Sequence, residues 1–300
     1  MNYLPKYIEL WQSGELRERT EKLSIVYSSC SACPRKCQTD RVNGEYGSCK
    51  TPIEPKVSSV SPHFGEEPSL VGFHGSGTIF FTGCNLNCVY CQNYDISQLS
   101  VGEVVAYEQL AGYMLYLQER GCHNINFVTP THQVYAILRS LEIAVGKGLK
   151  IPLVYNSGGY ECIETLKLLD GIIDIYMPDF KYWYTETGKV LSGVADYSDH
   201  AKSAIQEMYR QVGDLKTNEQ EIAYRGLIVR HLVLPGYYKE SRKIIDFITG
   251  LSTGIYLNIM DQYRPEYKAC GHDNLKQTID KNEYRQLRDY AIRKGARLTE

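Results

Sequence analysis

Cys84, Cys88 and Cys91 lie within eight residues, in the run Thr82-Gly83-Cys84-Asn85-Leu86-Asn87-Cys88-Val89-Tyr90-Cys91-Gln92-Asn93. The spacing is C-x3-C-x2-C, with the aromatic Tyr90 just before the last cysteine. Three thiolates on one short loop can hold three corners of a 4Fe–4S cube, whose complete site takes four cysteines. No fourth follows nearby, so one iron stays open to bind and activate a ligand. A zinc knuckle or a redox-inactive structural cluster is the bland alternative. Zinc sites, however, usually pair their cysteines as C-x2-C twice.

Cys30, Cys33, Cys37 and Cys49 form a second group, spaced C-x2-C-x3-C-x11-C. They fall in a proline-bearing stretch, residues 30–72, that reads as loop-rich. Metal binding would supply folding energy that such a segment lacks. Four cysteines suit zinc and a second 4Fe–4S cluster alike. Seven of the ten cysteines fall in these two groups before residue 92. In a reducing compartment, clustered cysteines are metal ligands or catalytic groups more often than disulfides. Cys122 lies beyond a helix of about 13 residues, roughly 20 Å from the triplet, and reads as an ordinary buried cysteine. Cys162 and Cys270 follow later strands and read as structural.

The elements that must position the triplet show as an alternation from residue 76 onward. Strands are expected at 76–82, 124–129, 152–156, 172–177, 227–233 and 255–259. Several are near-continuous apolar runs, as parallel strands covered on both faces should be. A helix follows each, marked by apolar residues at helical spacing such as Val134, Leu138, Leu141 and Val145. The last opens on a capping pair, Asp280 and Glu283. Six strand–helix units predict an α/β fold, a partial (β/α)6 barrel, with a doubly wound sheet as runner-up. Both bind ligands at the carboxyl ends of their strands, where the Cys84 loop falls. Residues 1–72 read as an N-terminal helical and cysteine-rich metal-binding module, and 73–300 as the barrel. Residues 182–197 are the longest soft stretch inside it, a lid, a docking loop or a plain insertion. Glu66 and Glu67, before the first strand, read as solvated loop charge at the site entrance.

The chain has 300 residues, 43% hydrophobic and 23% charged, enough for a sizeable core. A net charge of −2 gives no electrostatic reason to expect nucleic acid. No apolar stretch approaches the 18 or so residues of a membrane helix, and Met1 to Lys6 lack the apolar core of a signal peptide. A cytoplasmic location is the expectation.

Taken together, the motifs resemble the radical S-adenosylmethionine (radical SAM) superfamily, in its pyruvate formate-lyase activating enzyme-like branch. The resemblance covers nearly the whole chain. It rests on Cys33-Pro34-Arg35-Lys36-Cys37, His63-Phe64-Gly65-Glu66-Glu67-Pro68, Gly75 to Phe81, Cys84 to Asn93 and Val128-Thr129-Pro130-Thr131-His132. Tyr155-Asn156-Ser157-Gly158-Gly159-Tyr160, Pro178-Asp179-Phe180-Lys181-Tyr182 and Arg230 to Gly236 extend it.

The resemblance implies that Cys84, Cys88 and Cys91 hold a 4Fe–4S cluster whose open iron binds SAM. It implies reductive cleavage of SAM to a 5′-deoxyadenosyl radical that abstracts hydrogen from a substrate, with a protein or peptide among the candidates. A low-potential electron donor, flavodoxin or ferredoxin, is implied as a partner, in an anaerobic setting. Tyr90, Asn93, Asn156, Asp179, Lys181 and Arg230 are the implied cofactor contacts. Arg230 and His231 are neighbours on one strand, so only one can point into the barrel. The family's Gly-Gly-Glu motif after the second strand is replaced here by Thr129-Pro130-Thr131-His132, so Thr129, Thr131 and His132 would offer hydroxyl or imidazole contacts instead. Asn258, Asp261 and Gln262 stand where the family carries a histidine. The competing readings are a non-catalytic iron–sulfur electron carrier, which needs no barrel cavity, and a zinc-stapled binding protein.

Overall fold

A computed structural model describes residues 3–299. Met1 and Asn2, which open the stretch read as lacking a signal peptide, lie outside the described residues. Two helices begin the chain, α1 (Tyr7–Gln12) and α2 (Glu15–Ser28), broken at Gly14, whose φ of +83° suits glycine. Then come β1 (Lys56–His63), α3 (Pro68–Val71), β2 (Ser76–Phe81), α4 (Tyr94–Ser97), β3 (Glu103–Val104), α5 (Tyr107–Glu119), β4 (Ile125–Val128) and α6 (Val134–Gly146). They are followed by β5 (Leu153–Ser157), α7 (Ile163–Leu168), β6 (Ile175–Pro178), α8 (Thr185–Ser192), α9 (Tyr197–Val212), β7 (Lys216–Thr217) and β8 (Ala223–Leu232). The chain closes with α10 (Tyr238–Leu251), β9 (Tyr256–Met260), α11 (Lys281–Arg293) and β10 (Arg297–Leu298).

The six expected strands are β2, β4, β5, β6, β8 and β9, side by side and parallel in that order. The sheet is an open partial barrel with helices outside. Its strands are covered on both faces: every residue of β4, β5 and β6 is buried, apolar except for Asn126, Asn156 and Ser157. The outward faces pack under α5, α6 and α9, whose Met114, Leu138 and Ile205 are fully buried. Asp280 caps α11 as its sequence suggests, accepting from the Asn282 N–H at 2.7 Å and the Glu283 N–H at 3.2 Å.

Three departures bear on the site. First, the stretch read as loop, 30–72, contains β1, which pairs antiparallel with β2 from Val57 opposite Phe81 to His63 opposite Ser76. The sheet therefore runs across the division at 72. The paired Ser58-Ser59 breaks the alternation of valine and serine in β1 and only Val57 is buried, so it carries little strand periodicity. Second, residues 182–197 are not soft. They contain α8, and Tyr182, Leu191, Ser192, Val194 and Tyr197 are all buried. Glu240 of α10 anchors the segment, accepting from the Trp183 and Tyr184 N–H groups at 2.7 and 2.9 Å. Third, Glu67 is buried and Glu66 half-buried rather than solvated. Glu67 is 4% exposed, because the 64–75 segment turns into the barrel. There Leu70 packs with Val154, Ile175, Met177 and Ile228, closing the end opposite the cysteine loop.

Candidate active site

The cysteine loop leaves β2 through Thr82 and Gly83. Thr82 is held by its N–H to Lys56 O (2.9 Å) and its hydroxyl to Val101 O (2.8 Å). Gly83 has φ +83°, and a Cβ there would stand 2.5 Å from the Cys49 carbonyl oxygen. Only glycine fits. The loop's polar backbone is then consumed by its surroundings. Asn87 and Val89 donate to the carbonyls of Ser192 and Leu191 at 3.2 and 2.9 Å. Arg35, from the N-terminal cysteine segment, donates to Asn85 O at 2.8 Å. Lys268 N donates to Val89 O at 2.8 Å.

Each sulfur of the triplet has a donor group beside it. Leu86 N is 3.4 Å from Cys84 Sγ, Ser192 Oγ 3.0 Å from Cys88 Sγ and Ser97 Oγ 3.2 Å from Cys91 Sγ. Burial raises the Cys84 and Cys91 thiols above their ordinary value, so a metal has to displace their protons.

The loop opens on a cavity of about 260 Å³. Its walls bring together Cys84, Cys88, Cys91, Tyr90, Asn93, Thr129, Asn156, Asp179, Lys181 and Arg230. The floor is an ion-pair network. Asp179 accepts from Lys181 Nζ at 2.7 Å and from Arg230 Nε at 2.9 Å. Arg230 also donates to Asn156 Oδ1 at 2.6 Å and meets Glu66 Oε2 at 3.4 Å. Burial opposes the Asp179 charge, but Arg230 and Lys181 outweigh it and hold the carboxyl below its ordinary value. Glu66 is the reverse: burial pushes it up to about 7, against the pull of Arg230. Thr129 sits at φ +58°, a left-handed conformation uncommon for a β-branched residue and of the strained kind found at functional sites.

The structure separates Arg230 from His231. Arg230 enters the cavity, whereas His231 is buried behind it, with Nδ1 2.7 Å from Phe180 O and Nε2 2.8 Å from Ser241 Oγ. Thr131 and His132 do not line the cavity. Thr131 donates to Glu161 Oε1 at 2.7 Å. His132 Nε2 is 2.7 Å from Thr82 O, and burial pushes its imidazole down to about 3. It is therefore neutral, with its hydrogen on Nε2 because a carbonyl can only accept.

The N-terminal cysteines pack directly behind this loop. Cys30, Cys33 and Cys49 are buried and Cys37 is half-buried. Arg41, 1% exposed, lies 4.6 Å over the Tyr27 ring and donates to His132 O at 2.9 Å and Thr51 Oγ1 at 3.3 Å. Among the described residues no three His, Cys, Asp or Glu side chains stand in a ready metal-holding arrangement in either region. What fits a cluster at the triplet is the donor chemistry: three sulfurs, each beside a hydrogen-bond donor, on the wall of a polar cavity. Cys122 sits at the far end, its thiol directed at His74 O, 3.8 Å away.

Ser97 and Ser192 contribute contacts that no motif marked, while Glu66 and Tyr182 stood inside motifs that gave them no role at the site. Arg35 carried a signal, its place between Cys33 and Cys37.

A partial barrel with three cysteines beyond its first parallel strand defines a class of iron–sulfur enzyme. The radical SAM superfamily model matches residues 78–248, and the chain belongs to that superfamily. Membership implies a 4Fe–4S cluster and SAM. An uncharacterized protein of Methanocaldococcus jannaschii is 33% identical over 275 residues, covering 88% of this chain and 75% of that protein. The solved structure of Streptococcus suis SuiB bound to precursor peptide SuiA aligns with a TM-score of 0.50 at 12% identity, over 73% of this chain. The chain spans under half of SuiB, 46% of its length, and that likeness is one of fold. No helix among the described residues is long and apolar enough to cross a membrane.

Proposed function

We propose that this chain is a radical SAM oxidoreductase of the activating enzyme-like branch, acting on a protein or peptide. The observation that carries it is one cavity shared by Cys84, Cys88, Cys91 and the Asp179–Lys181–Arg230 floor. When bound, the cluster and SAM would supply a 5′-deoxyadenosyl radical able to take a hydrogen atom from a substrate. The chain's own residues would do the rest. Asp179 holds Lys181 and Arg230 in fixed places, presenting two cations and the Asn156 amide to the polar groups of SAM. Tyr90, Asn93 and Thr129 complete the wall around them. Tyr90 is 5% exposed and Cys88 8%, so the innermost part of the wall is kept from water. A low-potential flavodoxin or ferredoxin would deliver the electron in the cytoplasm. The peptide substrate is supported by SuiB, which has a similar fold and was solved bound to a precursor peptide.

Cys30, Cys33, Cys37 and Cys49 would hold a second metal, zinc or another 4Fe–4S cluster. Oxygen-free reconstitution followed by iron, sulfide and zinc analysis decides between them. About eight irons per chain mean a second cluster, and about four irons plus one zinc mean a staple. Adding SAM and dithionite should then give 5′-deoxyadenosine. Reconstituted protein that forms none is not an enzyme of this kind, and an electron carrier becomes the better reading.

A further inference from the structure

We propose that the Ser192 and Ser97 hydroxyls are aimed donors to the sulfurs of Cys88 and Cys91, and that they raise the reduction potential of the cluster held there. The inference rests on the reading of the triplet as cluster ligands. A serine hydroxyl has one hydrogen, so its direction is decided by what else occupies its oxygen.

At Ser97 that is Gln98. Its Nε2 amide donates to Ser97 Oγ at 3.3 Å and to Leu86 O at 3.1 Å. An amide NH2 cannot accept, so the Ser97 hydrogen is left for Cys91. At Ser192 the outer group is Tyr182, whose OH is 2.7 Å from Ser192 Oγ. Tyr182 in turn donates to Tyr90 OH at 2.6 Å. With a thiol at Cys88 the hydrogens can run outward in that sense. A thiolate has no hydrogen to give. Ser192 must then donate to the sulfur, Tyr182 to Ser192 and Tyr90 to Tyr182. Three hydroxyls supply three hydrogens for three acceptors, and the chain closes on the metal-binding form.

The setting strengthens these bonds. Ser192 is fully buried, Tyr182 is 1% exposed and Tyr90 is 5% exposed, and hydrogen bonds polarise one another at low dielectric. Donors to cluster and ligand sulfurs favour the more negative, reduced state. The hydroxyl of Ser192 is not what holds it in place. Its carbonyl and that of Leu191 already accept from Asn87 and Val89, so the helix end stays against the loop without it.

The test is the reduction potential, measured by electron paramagnetic resonance on anaerobically reconstituted protein poised at a series of potentials. Wild type, Ser192→Ala, Ser97→Ala and Tyr182→Phe are compared, with iron and sulfide counted in each. Each serine variant should keep its iron and hold about tenfold less reduced cluster at the same poise, the ordinary worth of one charge-assisted hydrogen bond. That is a fall of about 59 mV for one electron. Tyr182→Phe should shift the same way by less, because Ser192 remains but loses its director. An unchanged or higher potential in iron-replete serine variants overturns the proposal. If a serine variant takes up no iron, Tyr182→Phe decides by the same criterion. A wild type that takes up no iron overturns the ligand reading and this one together.

Discussion

The two cysteine regions place the same side chain in different surroundings. In the triplet, the sulfurs line the wall of a cavity, and the nearest charged groups form a floor that faces the same space. In the N-terminal group, Cys30, Cys33 and Cys49 are buried, Cys30 in a small cluster with Tyr27 and Ala32. Sulfur donors accompany both: Cys37 Sγ lies 3.3 Å from Ser48 N and Cys49 Sγ 3.3 Å from Thr51 Oγ1. Hydrogen bonding therefore does not separate a reactive cysteine site from a structural one. What distinguishes the triplet is a cavity that its sulfurs share with Asp179, Lys181 and Arg230. The regions are also joined, through Gly83 against Cys49, Arg35 on Asn85 O and Arg41 on His132 O.

The largest contrast comes from single cysteines. Cys88→Ala should lower 5′-deoxyadenosine formation by at least about 10³-fold while leaving the unfolding temperature of the metal-free protein nearly unchanged, since a cysteine-to-alanine change leaves only a small cavity. If the N-terminal cysteines hold a metal as proposed, Cys33→Ala should do the reverse, costing at least about 3 kcal/mol in denaturant unfolding of reconstituted protein, with SAM cleavage surviving in the folded fraction. Equal losses of activity from both would erase the distinction.

Gly83→Ala sharpens the joint between the regions. A left-handed alanine pressed against a backbone carbonyl should cost about 3–4 kcal/mol, and urea unfolding with parallel activity assays should show both falling together. A variant that loses activity with unchanged stability would mean that Gly83 serves the triplet alone.

Glu161, fully buried behind the cavity wall, gives a smaller, pH-dependent effect. Burial pushes its carboxyl up to about 7, although Thr131, Ser157 and Tyr155 favour the ionised form. The folded state thus keeps a proton that the unfolded chain gives up near 4.5. Stability falls as pH rises from about 4.5 to about 7, by on the order of 3 kcal/mol from this group. Glu161→Gln should flatten that part of the decline in melting temperatures taken from pH 5 to 8. An unaltered slope would show that the carboxyl does not titrate there.

The barrel was legible because parallel strands covered on both faces must be apolar throughout, as Phe127, Leu153 and Ile175 show. The triplet was legible because a cluster demands a fixed cysteine spacing on one loop. Strand alternation required that only one of Arg230 and His231 enter the cavity, though not which. What stayed hidden depends on distant partners. Glu66 and Glu67 look like surface charge until Arg230 and Asn258 are folded onto them, with Asn258 Nδ2 donating to Glu67 Oε1 at 3.1 Å. Residues 182–197 look soft because the group that orders them, Glu240, is more than forty positions downstream. Ser192 is one serine among many until Cys88 stands beside it.

The claim that the two cysteine regions divide the labour is tested most directly by replacing all three barrel cysteines at once. Anaerobically reconstituted Cys84→Ala/Cys88→Ala/Cys91→Ala protein should retain the metal proposed for Cys30, Cys33, Cys37 and Cys49 and form no 5′-deoxyadenosine from SAM and dithionite. Formation of 5′-deoxyadenosine at the wild-type rate by that variant would contradict the account.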